Sequence, residues 1–243
     1  MLSDNAVERL SHQLLDLDLA GHYEAFHWNG RSLQDAWRDR MQLEKNVQDA
    51  LRLKSVTLLR EAANEIHLWG FGSKLPGSID RKDWHERLRI ALELWCDDNS
   101  TRTSLTAAFA SLHDTGVKIA RVSKWLCFLD QRRFAIYDSR VSVALRDCCD
   151  DQGRRAFPIV PRRAPKGANQ WPGATIMSPE RSADVYVDYI AVTRLTARML
   201  NDRKIGQLGA SWRQDNPESG WWPVHVEMAL FMAGDVWPNH GAV

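Results

Sequence analysis

The sequence predicts an all-α fold, and three observations carry that reading. Apolar residues return at three- and four-residue spacing in one stretch after another, the period of a helix with one buried face. Those stretches open on Ser, Asp or Pro and are separated by Gly- and Pro-containing turns, the punctuation of helices rather than strands. At 243 residues the chain can bury about three quarters of its unfolded surface, enough for one large helical domain or two lobes around a cleft. A single domain over residues 1–243 is expected.

Ser3 can cap a first helix running to about Leu17. Gly21 and the cluster His22, Tyr23, Phe26, His27 and Trp28 then lead to Asn29-Gly30, a turn signal, and read as a docking segment. From Ser32 to His67 there is no Pro, and Leu33, Trp37, Met41, Val47, Leu51, Val56, Leu59, Ala62 and Ile66 keep helical spacing. That length predicts two helices rather than one. The run from Trp69 to Gly77 is expected to be a loop, and Gly70 and Gly72 do not make the glycine pattern of a dinucleotide site. Asp80 precedes an amphipathic helix carrying Trp84, Leu88, Leu92 and Trp95, and Asn99 or Ser100 opens another with Leu105, Ala108, Phe109 and Leu112.

The most informative segment follows, within residues 105–149. A tight turn at Gly116 leads into a helix from about Val117 to Leu129, then an extended return, then Asp138 as the cap of a further helix to about Cys149. Ile119, Val122, Leu126 and Leu129 share one face, with Trp125 at its edge. Lys118 stands in the first turn at the margin of that face. Lys124, six residues on, projects about 240° around the helix and is expected on the exposed side. A helix climbing about 18 Å from Lys118 can be matched by an extended return of up to about 23 Å, so Asp138 can come back beside Lys118. An amine nucleophile beside a fixed carboxylate suits chemistry at a sugar carbon of nucleic acid, and the amides of a glycine turn can hold a phosphate.

Residues 150–179 form an irregular, basic stretch with five of the nine prolines, long enough to be a functional loop. Pro179 begins a long helix to about Asn201, residues 203–220 are polar, and Trp221-Trp222-Pro223 introduces a last helix with His225 and Glu227, a pair read foremost as packing.

The 32 basic and 31 acidic residues nearly cancel, which excludes a uniformly basic nucleic-acid binder. Charge is concentrated instead: residues 118–166 hold twelve Lys and Arg against five Asp, a patch able to follow a phosphate backbone. Arg121, Lys124, Arg132, Arg133 and Arg140, with Gly116, are the candidate DNA contacts. Cys96, Cys127, Cys148 and Cys149 show no metal-ligand spacing and no four-cysteine cluster loop, so neither metal nor cofactor is expected. No leader or membrane-spanning stretch is visible, which makes the cytoplasm, at the nucleoid if DNA is bound, the expected compartment. Eleven tryptophans could stack on an extruded base, although most are expected to fill gaps between helices.

The run LHDTGVKIA resembles the helix-hairpin-helix of DNA glycosylases, whose usual form is LPGVGxKTA with an Asp about twenty residues later. Leu112, Gly116, Lys118 and Ala120 match, whereas His113, Asp114, Thr115 and Ile119 depart. The segment SKWLCFLD…FAIYDSRV is similar to the lysine-bearing, 8-oxoguanine-type branch. The resemblance implies a two-lobed helical glycosylase fold, base flipping from double-stranded DNA by a monomer, attack by Lys118 on the deoxyribose, and stabilisation of the developing charge by Asp138. Lys124 is the alternative nucleophile. Two other readings stand beside this one: a catalytically silent hairpin module that only binds DNA, and a helical protein-interaction domain.

Overall fold

The computed structural model describes residues 2–77, 82–113, 118–161, 173–204 and 220–235. Among them are ten helices and no strand: α1 (Asp4–Leu15), α2 (Leu19–Glu24), α3 (Leu33–Arg52), α4 (Val56–Phe71), α5 (Lys82–Cys96), α6 (Arg102–His113), α7 (Ile119–Cys127), α8 (Ser139–Ala144), α9 (Pro179–Asp202) and α10 (Pro223–Asp235). The all-helical class is therefore as the periodicity predicts. No helix among the described residues is long and apolar enough to cross a membrane, and no group of three or more His, Cys, Asp or Glu there could hold a metal ion.

Local chemistry sets the helix ends. The hydroxyls of Ser3, Ser32, Ser55 and Ser178 each accept an amide three residues on, satisfying donors that the first turn leaves unpaired. The two helices expected between residues 32 and 67 are α3 and α4, divided at Leu53–Ser55. One boundary differs with consequence. Trp69 and Gly70, expected in a loop, continue α4 as far as Phe71, and the helix stops at Gly72 in the left-handed region, φ 66°.

The layers follow from which helices touch. α3 packs on α4, α4 on α5 and α7, α5 on α6, and α6 on α7 and α9. The long α9 also carries α1 and α10, while α10 holds α2 and α8. Two helices are thereby enclosed. Every α7 residue from Val122 to Cys127 is buried, as are Val224 to Met232 of α10. Complete burial of Val122 and Leu126 contributes about 1.5–3 kcal/mol each.

This enclosure corrects the expectation that Lys124 points to solvent and that Trp125 sits at an edge. Lys124 and Trp125 are 2% and 1% exposed. The apolar stripe of α7 was correctly legible, but α4, α6 and α9 cover the helix on other sides as well. A helix wrapped in this way has no wet face for a lysine to occupy.

Candidate active site

The return from α7 to α8 positions the site. Ala135, Ile136 and Tyr137 are buried outside any helix or strand, so their backbone groups need other partners. Side chains supply them. The hydroxyls of Tyr186 and Tyr189 on α9 donate to the carbonyls of Ala135 (3.1 Å) and Ile136 (3.0 Å). Ser123 Oγ accepts the Tyr137 amide at 3.0 Å and donates to the Tyr137 carbonyl at 3.3 Å.

That last pair decides the geometry. By fixing Tyr137 against Ser123, it sets the next residue of each segment side by side: Lys124 Nζ lies 3.5 Å from Asp138 Oδ2. Lys118, the expected partner, is exposed at the N-cap of α7 with no side-chain cap bond. The return was long enough to reach Lys118, but the chain is latched about two turns short of it. Asp138 caps α8 as expected, its Oδ1 accepting the amides of Arg140 (3.0 Å) and Val141 (3.2 Å). One oxygen is thus held by the helix and the other faces the amine.

The surroundings of Lys124 are aromatic and tightly fitted. Its Nζ stands 4.9 Å from the centre of the Phe71 ring. A Cβ on Gly70 would lie 2.6 Å from Lys124 Cε and 2.7 Å from Cδ, so the stem passes where only a glycine leaves room. The lysine side chain is 3% exposed and the Asp138 side chain 16%.

Beyond the pair is a small cavity of about 10 Å³, lined in part by Phe26, Trp28, Trp69 and Phe231. It also meets Arg40 and Glu227. Trp28 and Trp69 stack with ring centres 5.0 Å apart. Glu227 and Arg40, each 1% exposed, form a two-pronged pair, Nη1 to Oε2 at 2.9 Å and Nη2 to Oε1 at 3.0 Å. Burial pushes the Glu227 carboxyl up, opposed by the Arg40 guanidinium. Burial also raises the Cys127 thiol, so this residue is a poor nucleophile and a small packing group.

No protein-family model, curated protein or solved structure matches the chain. The residues alone must carry the functional reading.

The candidate DNA contacts separate into two groups. Arg121 stands over the Phe71 ring at 5.4 Å and Arg140 over Phe231 at 4.5 Å, both next to rings of the lysine site. Arg132 stacks on Trp222 at 4.9 Å, and Arg133 pairs with Asp98 at 2.9 Å, in a different cleft. Gly116 lies outside the described residues, as do His113's side chain and Asp114, Thr115 and Val117. The basic run at Arg162, Arg163 and Lys166 lies outside them too.

Arg40 and Glu227 were the residues that sequence reasoning did not bring to the site. Their signal was legible in retrospect. Arg40 falls on the buried stripe Ala36, Trp37, Leu43, Val47 and Ala50 of α3, and Glu227 interrupts an apolar run in α10. A charge inside an apolar stripe implies a buried partner.

Proposed function

We propose that the chain is a DNA glycosylase of the helix-hairpin-helix kind, with Lys124 rather than Lys118 as the nucleophile and Asp138 as its proton acceptor. The observation that carries this reading is the pairing of a buried amine with a helix-capping carboxylate, 3.5 Å apart among aromatic rings. A lysine so enclosed is positioned for addition to a sugar carbon rather than for solubility.

Lys124 gives a proton to Asp138 Oδ2, and its lone pair then bonds to C1′ of the deoxyribose. The glycosidic bond breaks with its electron pair on the departing base, which takes up a proton from water. The nitrogen gives its second proton to the hydroxide left by that water. The sugar ring opens as Asp138 passes its proton to O4′, which leaves a protonated Schiff base between C1′ and Nζ whose charge the re-ionised Asp138 balances. A modified purine such as 8-oxoguanine, flipped from duplex DNA into a cleft between two helical lobes, is the substrate class this reading assigns. Arg121 and Arg140, beside the lysine site, are the phosphate contacts nearest to the chemistry.

One observation favours a second reading, a hairpin module that binds DNA without chemistry. A cavity of about 10 Å³ holds at most one water, so base entry requires Trp28 and Trp69 to part. Borohydride trapping on a duplex with an abasic site separates the two, because its open sugar aldehyde needs no base recognition. Wild type and Lys118→Gln should form a covalent adduct, and Lys124→Gln should not. Loss in Lys118→Gln alone would return the nucleophile to Lys118. Salt-sensitive binding with no adduct in wild type would select the silent module. A panel of modified bases then names the substrate.

A further inference from the structure

A second cleft, sharing no lining residue with the lysine site, lies where the segment after α7 meets the end of α9 and the start of α10. Its volume is about 310 Å³, and Arg132, Arg133, Arg194 and Arg198 line it with Asp98 as the one acid. Four guanidinium groups against one carboxylate leave an excess of about three positive charges.

The fold holds Arg133 and Arg194 in place, and Arg198 stands in solvent beside them. Arg194 and Arg198 stand four residues apart on α9 and so share a face, where like charges repel. Arg194 Nε donates to the Arg133 carbonyl at 2.8 Å, while the Arg133 head group is taken by Asp98 at 2.9 Å and the Cys96 carbonyl at 3.1 Å. Burial, followed by the charges of Arg133 and Arg198, depresses Arg194 below the ordinary arginine range. Arg198 is exposed and makes no hydrogen bond or ion pair among the described residues. The far wall is rigid. Asn201 accepts the Trp221 amide at 2.6 Å and donates to its carbonyl at 3.1 Å, and Trp222 stacks on His225 with centres 5.3 Å apart.

We infer that this cleft binds a phosphate monoester, the terminal phosphate of a nucleotide or of a DNA strand, between Arg194, Arg198 and Arg133. Guanidinium forks match phosphate oxygens in pairs, and a dianion relieves the repulsion along α9. The cleft is open to solvent rather than enclosed. Its volume exceeds what a bare phosphate fills and reaches the lower range of small-ligand sites, which leaves room for the group esterified to the phosphate.

The test is calorimetric titration of the full chain with four probes at low salt: deoxyadenosine, its 5′-monophosphate, and a short single strand with and without a 5′-phosphate. Arg198→Glu is the variant, because an exposed side chain without a partner can change without unfolding the protein. The monophosphate should bind where the nucleoside does not, and Arg198→Glu should weaken it at least tenfold. A strand at least tenfold tighter when 5′-phosphorylated identifies a DNA end as the source. A mononucleotide bound more tightly than either strand identifies a free nucleotide. Equal behaviour of nucleoside and nucleotide, or no effect of Arg198→Glu, would overturn the assignment. Lys124→Gln should leave these affinities unchanged, so the outcome is separable from the glycosylase reading.

Discussion

Replacing Gly70 by Ala should slow the chemistry of Lys124 about 100-fold at a cost of no more than about 2 kcal/mol in stability. An added methyl lands 2.6 Å from Lys124 Cε and 2.7 Å from Cδ, about 1 Å inside normal carbon contact. The flexible lysine, not the α4 backbone, must give. Its Nζ is already 3.5 Å from Asp138 Oδ2, so a shift of about 1 Å takes it out of hydrogen-bond reach. Misplacement of a reacting group by about that distance costs on the order of 100-fold in rate, or about 2.7 kcal/mol of barrier. Stability falls modestly. Ala in a helix interior gains up to about 1 kcal/mol over Gly, whereas loss of the charge-assisted bond to a buried amine costs about 1.5–3 kcal/mol. The thermal midpoint should therefore fall by no more than about 8 °C. Initial rates of adduct trapping on an abasic-site duplex, with melting followed by circular dichroism, give both quantities. Trapping within threefold of wild type would refute the idea that Gly70 admits the lysine. A fall in midpoint beyond about 10 °C would show that the backbone yields instead.

Three further outcomes follow from the same packing. Arg40→Met should cost about 3–5 kcal/mol in urea unfolding, because it leaves Glu227 charged and unpaired in the interior, whereas adding Glu227→Leu should recover most of the loss; a single-variant cost below about 1 kcal/mol contradicts this. His225, held well below 6.5 first by burial and then by Arg40, stays neutral in the native state while the unfolded state takes up a proton. Its contribution is fully present above pH 6.5 and declines by about 1.4 kcal/mol per unit as the pH falls toward the native value. Wild type and His225→Gln should accordingly diverge in slope between pH 6.5 and 5, and parallel profiles would refute it. A Cβ at Gly234 would meet the Arg140 carbonyl oxygen at 2.0 Å and its carbon at 2.7 Å; since that obstacle is backbone, Gly234→Ala should force α8 from α10 at a cost of about 1–3 kcal/mol or more. A urea midpoint unchanged from wild type would show that the two helices are not interlocked there.

The sequence by itself determined the helical class, the division of α3 from α4, the apolar stripe of α7 and the capping role of Asp138. Each is set by residues within a few positions of one another: a spacing of three or four, a serine hydroxyl, a carboxylate over the next amides. It also contained Lys124 and Asp138, but ranked Lys118 first, because local geometry allows the return segment to stop anywhere along the helix. Only tertiary contacts chose the stopping point. Ser123 latches Tyr137, and Tyr186 and Tyr189 reach from α9 to hold the carbonyls before it. Burial of Lys124 was decided in the same way, by neighbours more than fifty residues away in α4 and α9 that leave α7 no solvent face. The Arg40–Glu227 pair spans 187 residues, and no local rule brings such charges together. The gathering of Arg133, Arg194 and Arg198 around one cleft is likewise a product of the fold, because repulsion between like charges gives the isolated sequence no reason to collect them.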